Sequence, residues 1–281
     1  MPTCYRHPAR ETGVACSNCG RPICPDCMTP TPVGMRCPEC AKQRTKVHTS
    51  RSLGGTAEPL VTYAVIAICV IAFLAGGEFG VSDSSTSTWL YRNGVLFGPL
   101  VHDGELWRLV TGGFLHSGLL HIGFNMLLLY WLGTEIERRL GNVRFGLVYL
   151  TALLGGSLGA LIQTTATPTV GASGAVFGLM GYALVEMRRQ GINPLQSQIG
   201  FLLIFNVVLS LRPGANISFG GHLGGLVFGA LAAVVLHEVA RRRGPAWLAP
   251  ALLLGLCAIA VVGSVLMSGQ TGITDSGNVI R

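Results

Sequence analysis

The stretch Gly171-Ala172-Ser173-Gly174 stands between a polar loop, residues 163–169, and the apolar run 175–185. A serine between glycines at a helix start can be approached closely by another backbone, and the helix-terminal N–H groups point at whatever it contacts. Such a serine is more often only a helix cap. Ser173 is nevertheless a candidate nucleophile, because residues elsewhere in the chain supply a base, two oxyanion donors and a membrane environment.

The composition predicts an all-α polytopic membrane protein. Of the 281 residues, 49% are hydrophobic, 12% are charged and 39 are glycines. Charged residues are about half as frequent, and glycines about twice as frequent, as in soluble domains. The net charge of +7 would suggest a nucleic-acid partner in a soluble protein. Most arginines lie between apolar runs, however, so we interpret them as topology signals and expect no nucleic-acid partner.

Residues 1–45 contain seven of the nine cysteines, which together with His7 form four pairs of identical spacing. The pairs are Cys4 and His7, Cys16 and Cys19, Cys24 and Cys27, and Cys37 and Cys40. Thiolates and imidazole at this spacing are typical zinc ligands, so the sequence predicts two structural zinc ions. A disulfide framework is the alternative, but it would leave one cysteine unpaired, and the topology predicted below places the segment in the reducing cytoplasm.

The cysteine pattern resembles a B-box-type zinc finger. The resemblance implies an interleaved arrangement, in which the first and third pairs bind one metal ion and the second and fourth pairs bind the other. Spacing alone does not prove this arrangement. So small a domain has little core, and zinc binding is expected to supply much of its folding free energy. A purely structural module and a module that binds a cytoplasmic protein partner both stay open.

A linker, residues 46–58, and seven apolar runs follow. The runs are approximately 60–76, 118–133, 144–162, 172–187, 196–211, 219–239 and 247–267. Several are shorter than the ~20 residues of a usual spanning helix, which suits an interior bundle or a thin bilayer.

Arginines concentrate in the connections after runs two, four and six. The positive-inside rule therefore predicts a cell-membrane protein with a cytoplasmic N-terminus and an extracytoplasmic C-terminus.

Runs two, four and six carry polar residues near their predicted outer ends. These residues are His121 and Asn125 in run two, Ser173 in run four and His222 in run six. Polar side chains within a membrane are costly and by default functional. Runs four and six also carry glycines at four-residue spacing, which allows backbones to touch. These are Gly174 and Gly178 in run four, and Gly221, Gly225 and Gly229 in run six.

The polar residues suggest serine-based hydrolysis. Because a serine is a weak nucleophile until a neighbouring base accepts its proton, we expect Ser173 as the nucleophile and His222 as the general base. No acidic third member is apparent in the sequence. His121 and Asn125 lie four residues apart on one helix face, and we expect both to donate hydrogen bonds to a developing oxyanion.

Together these motifs resemble the rhomboid family of intramembrane serine proteases. The motifs are Trp107-Arg108, His116-x4-His121-x3-Asn125, Glu137-x3-Gly141, Gly171-Ala172-Ser173-Gly174 and Gly221-His222-x2-Gly225. The resemblance covers about residues 59–240 and implies a six-helix core, here followed by a seventh helix and a short extracytoplasmic tail in residues 241–281. It implies that Ser173 and His222 form the catalytic dyad and that His121 and Asn125 belong to the oxyanion site. The residues it implies to be structural are Trp107, Arg108, Glu137, Gly174, Gly221 and Gly225.

The expected activity is cleavage of single-span membrane proteins in the lipid bilayer, near its outer boundary, without a cofactor for the chemistry. Phe177 departs from the family, which often has a tyrosine one turn after the serine. The phenyl ring keeps the stacking surface and loses the hydroxyl, so we expect tuned activity. The first loop, residues 78–117, is expected to lie partly in the membrane because it contains the apolar stretch 89–101.

Other functional classes fit these residues less well. Zinc-type intramembrane proteases require His-Glu-x-x-His, whereas His237-Glu238 is followed by Val-Ala-Arg. Aspartyl types require aspartates within the apolar runs, which contain none. A transporter would place charged groups deeper in the bundle and show internal repeats. The alternative that stays open is a catalytically silent rhomboid-like protein that binds membrane clients, although such proteins typically lack the serine or the histidine.

Overall fold

The structure, a computed structural model, describes residues 1–32, 34–42, 58–77, 80, 88–210 and 217–269. The chain forms two compact units, Met1–Gly55 and Thr56–Arg281. Three predicted features lie wholly or partly outside the described residues: residues 46–57 of the linker, residues 78, 79 and 81–87 of the first loop, and the tail after residue 269.

The N-terminal unit is built around its cysteines. Two short antiparallel strands, β1 (Thr29–Thr31) and β2 (Gly34–Arg36), precede helix α1 (Pro38–Lys42). The described buried cluster of this unit consists of six cysteines and Ile23. A domain with so small an apolar core usually needs a metal ion or another cross-link to offset the entropy of ordering its chain.

The regular elements described in the second unit are helices. They are α2 (Leu60–Gly76), α3 (Trp89–Gly94), α4 (Gly98–His102), α5 (Arg108–Thr111), α6 (Leu119–Leu128), α7 (Thr134–Leu140), α8 (Asn142–Gln163), α9 (Ser173–Arg189), α10 (Gln198–Ser210), α11 (Phe219–Arg241) and α12 (Leu248–Ser268). A π-helical segment, Leu129–Gly133, joins α6 to α7. Short 3-10 turns occur at Gly112–Phe114 and Pro194–Gln196.

Each of the seven predicted apolar runs corresponds to a helix, in order α2, α6 with its continuation, α8, α9, α10, α11 and α12. Among the described residues, four helices are long and apolar enough to cross a bilayer: Leu119–Leu140, Asn142–Gln163, Phe219–Arg241 and Leu248–Ser268. The other three, α2, α9 and α10, have 17, 17 and 13 residues. The chain is a multi-pass helical membrane protein, and the predicted fold class is confirmed.

Helices α8, α9 and α11 form the centre of the second unit because glycines let their backbones touch. A Cβ added to Gly225 of α11 would lie 1.9 Å from the carbonyl oxygen of Gly174 in α9. One added to Gly229 would lie 1.9 Å from the carbonyl oxygen of Gly178. No other residue type fits at such positions. The spacing of glycines in the sequence therefore identified two helices whose backbones touch.

The first loop carries α3, α4 and α5 and is joined to the loop that precedes α9. Leu96 and Thr169 exchange two backbone hydrogen bonds, of 3.1 and 2.8 Å. The Gly98 N–H donates to the carbonyl oxygen of Thr165 at 3.1 Å. The apolar stretch 89–101 thus forms two short helices and an extended segment between them. Its position in the membrane stays a prediction.

Candidate active site

Ser173 is the first residue of α9, and the backbone before it is held from two sides. Gly171 has a φ of +120°, a conformation that favours glycine. Its N–H donates to the carbonyl oxygen of Gly112 at 2.9 Å. The Ala172 N–H donates to Nε2 of the buried His116 at 3.4 Å. Because the first N–H groups of a helix have no intrahelical acceptor, the Ser173 N–H can donate to a bound substrate.

His222 lies in the first turn of α11, whose start is fixed by two side chains. Ser218 Oγ accepts a hydrogen bond from the Gly221 N–H at 3.1 Å. Gln163 Oε1, at the end of α8, accepts one from the Gly220 N–H. These bonds satisfy N–H groups that the helix itself leaves unpaired. The His222 residue is buried, with 8% of its surface exposed.

Phe177 connects α9 to α11 at the site. Its ring stacks on the imidazole of His222, with centroids 4.0 Å apart and planes at 11°. Phe177 follows Ser173 by four residues, so both side chains lie on the same face of α9, one turn apart. His222 therefore packs against the residue that follows Ser173 by one turn of α9, and the two helices touch at Gly174 and Gly225.

His121 lies beside the segment that leads into α9. A Cβ added to Gly171 would lie 2.6 Å from His121 Nε2 and 3.7 Å from Ser173 Oγ, so both atoms border one small space. The Ser117 N–H donates to His121 Nδ1 at 3.4 Å. A neutral imidazole that accepts at Nδ1 carries its proton on Nε2. His121 therefore directs an N–H at the space beside Ser173.

Asn125 is buried one turn after His121. Its Nδ2 donates to the carbonyl oxygen of His121 at 2.8 Å. One N–H of the amide is therefore used within α6. A side-chain amide carries two N–H groups, so the second can donate a hydrogen bond to a substrate oxygen.

Trp107 and Arg108 hold the first loop together. Trp107 Nε1 donates to the carbonyl oxygen of Asn93 at 3.1 Å. Arg108 is 2% exposed and donates from Nη1 to the carbonyl oxygen of Val95 at 2.9 Å. It also forms an ion pair with Glu105 at 2.6 Å. These contacts fix the segment that pairs with the loop before α9.

Glu137 joins α7 to the start of α2. The residue is 0% exposed. Its carboxylate accepts hydrogen bonds from the Val61 N–H at 2.8 Å, the Thr62 N–H at 2.8 Å and the Thr62 hydroxyl at 2.6 Å. Unpaired N–H groups and the helix dipole both favour a carboxylate at a helix N-terminus.

The eight predicted metal ligands form two clusters in the N-terminal unit. One cluster comprises Cys4, His7, Cys24 and Cys27, and the other comprises Cys16, Cys19, Cys37 and Cys40; the ligand atoms of each lie within 4.8 Å of one another. This is the interleaved pairing that the B-box resemblance implies. Four thiols, or three thiols and an imidazole, at such separations fit a tetrahedral ion with metal–ligand distances of about 2.0–2.3 Å. The clusters can bind two metal ions.

The thiols of these clusters differ in acidity. The Cys37 N–H lies 3.3 Å from Cys16 Sγ, and this backbone hydrogen bond lowers the pKa of Cys16 to about 6. Burial raises the pKa of Cys27 to about 11. A divalent cation favours the thiolate at both positions because it competes with the proton.

Two residues that position the site were not predicted as site residues. His116 holds the backbone before Ser173, and Gln163 holds the backbone before His222. Each contact joins residues far apart in the sequence, so helical periodicity carries no sign of it. For His116 the available signal was its place in the motif His116-x4-His121-x3-Asn125, and for Gln163 it was a polar side chain next to an apolar run.

Comparisons with known proteins point to one family. Residues 103–239 match the rhomboid domain family. The chain is 34% identical over 199 residues to "Rhomboid protease GluP" of Bacillus subtilis, covering 69% of this chain and 38% of that protein. It is 32% identical over 189 residues to "Rhomboid protease GlpG" of Salmonella paratyphi A, covering 65% of each chain. It is 38% identical over 135 residues to "RHOMBOID-like protein 1" of Arabidopsis thaliana, covering 47% of this chain and 35% of that protein.

The chain thus spans between 35% and 65% of the length of these relatives. The matched domain contains Ser173, His222, His121 and Asn125. The findings support the rhomboid family for this chain.

Proposed function

We propose that this chain, whose residues 103–239 carry a rhomboid domain, is an intramembrane serine endopeptidase that cleaves membrane-spanning segments of other proteins. The observation that carries the proposal is the stacking of Phe177 on His222. This contact supports His222 as the base, because its ring packs against the residue one turn after Ser173 and the two helices touch through glycines. A nucleophile and a base held on two rigid helices are the minimum needed for covalent hydrolysis of a peptide.

The mechanism follows from the positions of these groups. Ser173 Oγ attacks the carbonyl carbon of the scissile peptide while His222 accepts the hydroxyl proton. The carbonyl oxygen becomes an oxyanion, to which the Ser173 N–H, the His121 Nε2–H and the second amide N–H of Asn125 donate. His222 then protonates the leaving nitrogen, the C–N bond breaks, and an acyl-serine ester remains.

Hydrolysis of the ester completes the cycle. A water molecule gives a proton to His222 and attacks the acyl carbon, forming a second oxyanion. When this intermediate collapses, the C–O bond to Ser173 breaks, His222 returns the proton to Oγ, and the carboxylic acid product leaves. Because lipid excludes water, the site must open to an aqueous face.

The chemistry limits the substrate. Peptide groups of a spanning helix are shielded by their own hydrogen bonds, so the segment must unwind before Ser173 can reach a carbonyl. Glycine, proline or polar residues near the cut favour such unwinding. A small residue before the cut is what the rhomboid resemblance implies.

Arginines orient the chain in this proposal. The ends of α7, α9 and α11 that lie away from Ser173 and His222 carry Arg138, Arg139, Arg188, Arg189, Arg241, Arg242 and Arg243. The positive-inside rule places these ends at the cytoplasm and the dyad near the outer boundary. The N-terminus is then cytoplasmic, and the C-terminus, after α12, is extracytoplasmic.

The domain organisation proposed is a B-box-like zinc domain, residues 1–45, the linker 46–58, the protease core 59–240 and the seventh helix with its tail, 241–281. Zinc is the metal that suits four-coordinate sites of cysteine and histidine in a reducing compartment. Its role here is structural, since the interleaved clusters supply most of the buried residues of that domain.

Cleavage of a single-span membrane substrate by the purified full-length protein in liposomes tests the function. Wild type is expected to cut, whereas Ser173→Ala and His222→Ala are expected to be inactive. Ser268→Ala in α12 and His102→Gln in α4 are matched controls that remove the same groups away from the site, and both are expected to cut normally.

A fluorophosphonate probe separates the possible failures. Labelling of Ser173 without cleavage would keep the hydrolase proposal and assign the failure to the substrate. Absence of both labelling and cleavage in a folded protein would overturn it and leave the client-binding alternative.

A further inference from the structure

A cavity of about 250 Å³ lies at the end of the helix bundle away from Ser173 and His222. Residues of α7, α8, α9, α11 and α12 line it. Along α9, Glu186 of the cavity is thirteen residues after Ser173, a rise of about 20 Å. The cavity is therefore separate from the proposed active site.

The cavity lies where the candidate membrane spans begin and end. The spans Leu119–Leu140 and Phe219–Arg241 end there, and the spans Asn142–Gln163 and Leu248–Ser268 begin there. The boundary between hydrocarbon and water, where lipid headgroups lie, therefore passes close to it whichever way the chain is oriented. A ligand of this cavity has direct access from the headgroup layer.

The polar lining carries charges of both signs. Arg144 and His237 supply N–H donors, Tyr182 supplies a hydroxyl, and Glu186 supplies a carboxylate. The described ion pairs at this end of the molecule join Glu135 to Arg139 and Glu238 to Arg241 and Arg242. Among the described residues, Arg144 and Glu186 take part in none.

Arg144 and Glu186 therefore line one cavity with their charged atoms more than 4.0 Å apart. Arg144 is exposed and Glu186 is partly buried. A ligand with one charge would pair with only one of them. A ligand that carries a phosphate and an ammonium group satisfies both. The apolar part of the lining, which includes Leu236 and Val239, suits the glycerol and upper acyl carbons of a lipid.

We propose that this cavity binds the headgroup of a phospholipid that carries both a phosphate and a primary ammonium, as phosphatidylethanolamine does. Arg144 and His237 donate hydrogen bonds to the phosphate, and Glu186 accepts hydrogen bonds from the ammonium. The acyl chains extend along the apolar surfaces of the helices. The proposal is independent of catalysis at Ser173.

Native mass spectrometry of the delipidated full-length protein tests the site, with equimolar dioleoyl phosphatidylethanolamine, phosphatidylcholine and phosphatidylglycerol added. Wild type is expected to retain the phosphatidylethanolamine in preference to the other two lipids. Arg144→Gln is expected to bind it about tenfold more weakly, because a charge-assisted contact to the phosphate is lost. Glu186→Gln is expected to shift the preference to phosphatidylglycerol.

Arg188→Gln is the matched control, since Arg188 lies in the last turn of α9 but does not line the cavity. Unchanged melting temperatures of the variants in detergent establish that they fold. Equal retention of the three lipids by wild type would overturn the proposal, as would Arg144→Gln and Arg188→Gln behaving alike. Binding of soluble O-phosphoethanolamine without retention of the lipid would overturn the membrane lipid as the ligand. Because every readout is binding, the result does not depend on cleavage.

Discussion

The phenyl ring of Phe177 lies nearly parallel to the imidazole of His222, with ring centroids 4.0 Å apart. The two residues belong to different helices, α9 and α11. Phe177 follows Ser173 by one turn, and its ring packs against the face of the imidazole. Stacking opposes rotation of the imidazole about its Cβ–Cγ bond, because that rotation would tilt the ring away from the phenyl face. The orientation of the proposed base therefore depends on a side chain that takes no part in proton transfer.

Replacement of this ring is expected to lower the rate. Phe177→Ala removes the stacking partner and is expected to reduce kcat/KM about tenfold, since an aromatic pair contributes about 0.5–1.5 kcal/mol. Phe177→Tyr keeps the ring and is expected to stay within about threefold of wild type. Phe205→Ala, which removes a ring from α10, serves as the control. Equal rates for Phe177→Ala and Phe205→Ala would show that the stack does not orient the base.

The contact between α9 and α11 is expected to tolerate no added methyl group. In Gly225→Ala the new Cβ would lie 1.9 Å from the carbonyl oxygen of Gly174, so the helices must separate. We expect a loss of about 3 kcal/mol in the free energy of unfolding and loss of cleavage. Gly255→Ala in α12 is the control, because a Cβ there meets nothing within 4 Å. Unfolding in detergent and cleavage in liposomes measure both effects, and normal activity of Gly225→Ala would contradict the close contact.

The Glu137 carboxylate is expected to contribute to the stability of the helix bundle. Glu137→Gln keeps the shape of the side chain but turns an N–H donor towards the N–H groups of Val61 and Thr62. The expected destabilisation is about 3 kcal/mol, because hydrogen bonds to a buried charge are lost. Glu135→Gln removes a carboxylate of α7 whose ion pair with Arg139 is exposed, and is expected to cost less than about 1 kcal/mol. Similar melting temperatures for the two variants would argue against this role.

Removal of the metal is expected to unfold the N-terminal unit and leave the dyad intact. The purified protein is expected to contain two zinc ions per chain, which elemental analysis measures. After chelation, limited proteolysis should cut within residues 1–45, because the buried cluster there consists almost wholly of the ligands. Cleavage of substrate should continue at the wild-type rate. Loss of activity with an intact helical unit would instead couple the metal to catalysis.

The sequence predicts the helices well and their long-range contacts poorly. Apolar runs identify the seven longest helices of the described residues in the second unit, because burial in lipid or protein demands apolar side chains over a whole segment. The Ser173 and His222 motifs are recognisable because the glycines beside them indicate that the backbones of their two helices lie close together. Nothing in the sequence places Gln163 against Gly220, or Glu137 against the start of α2, since such contacts depend on how separate helices pack.

Short elements were also missed for a physical reason. The π-helical segment Leu129–Gly133 and the helices of the first loop are only a few residues long, too short for a periodic pattern. The cavity beside Arg144 is formed by five helix ends, and no local stretch of sequence describes it. By contrast, the metal clusters depend on the spacing of eight residues, and their pairing was implied by the resemblance to a B-box-type zinc finger.

The two hydrogen bonds between Leu96 and Thr169 also set an order of events during biosynthesis. Helices α4 to α8 lie between these residues in the chain, so the first loop cannot form this pairing until the ribosome has made α8 and the loop beyond it. Until then its backbone groups at Leu96 pair with water or lipid headgroups. At that stage only the helices up to α8 have been made, so the loop before Ser173 gains this support before α9 and α11, which carry Ser173 and His222, are complete. A nascent chain therefore holds no assembled site until α11 has followed.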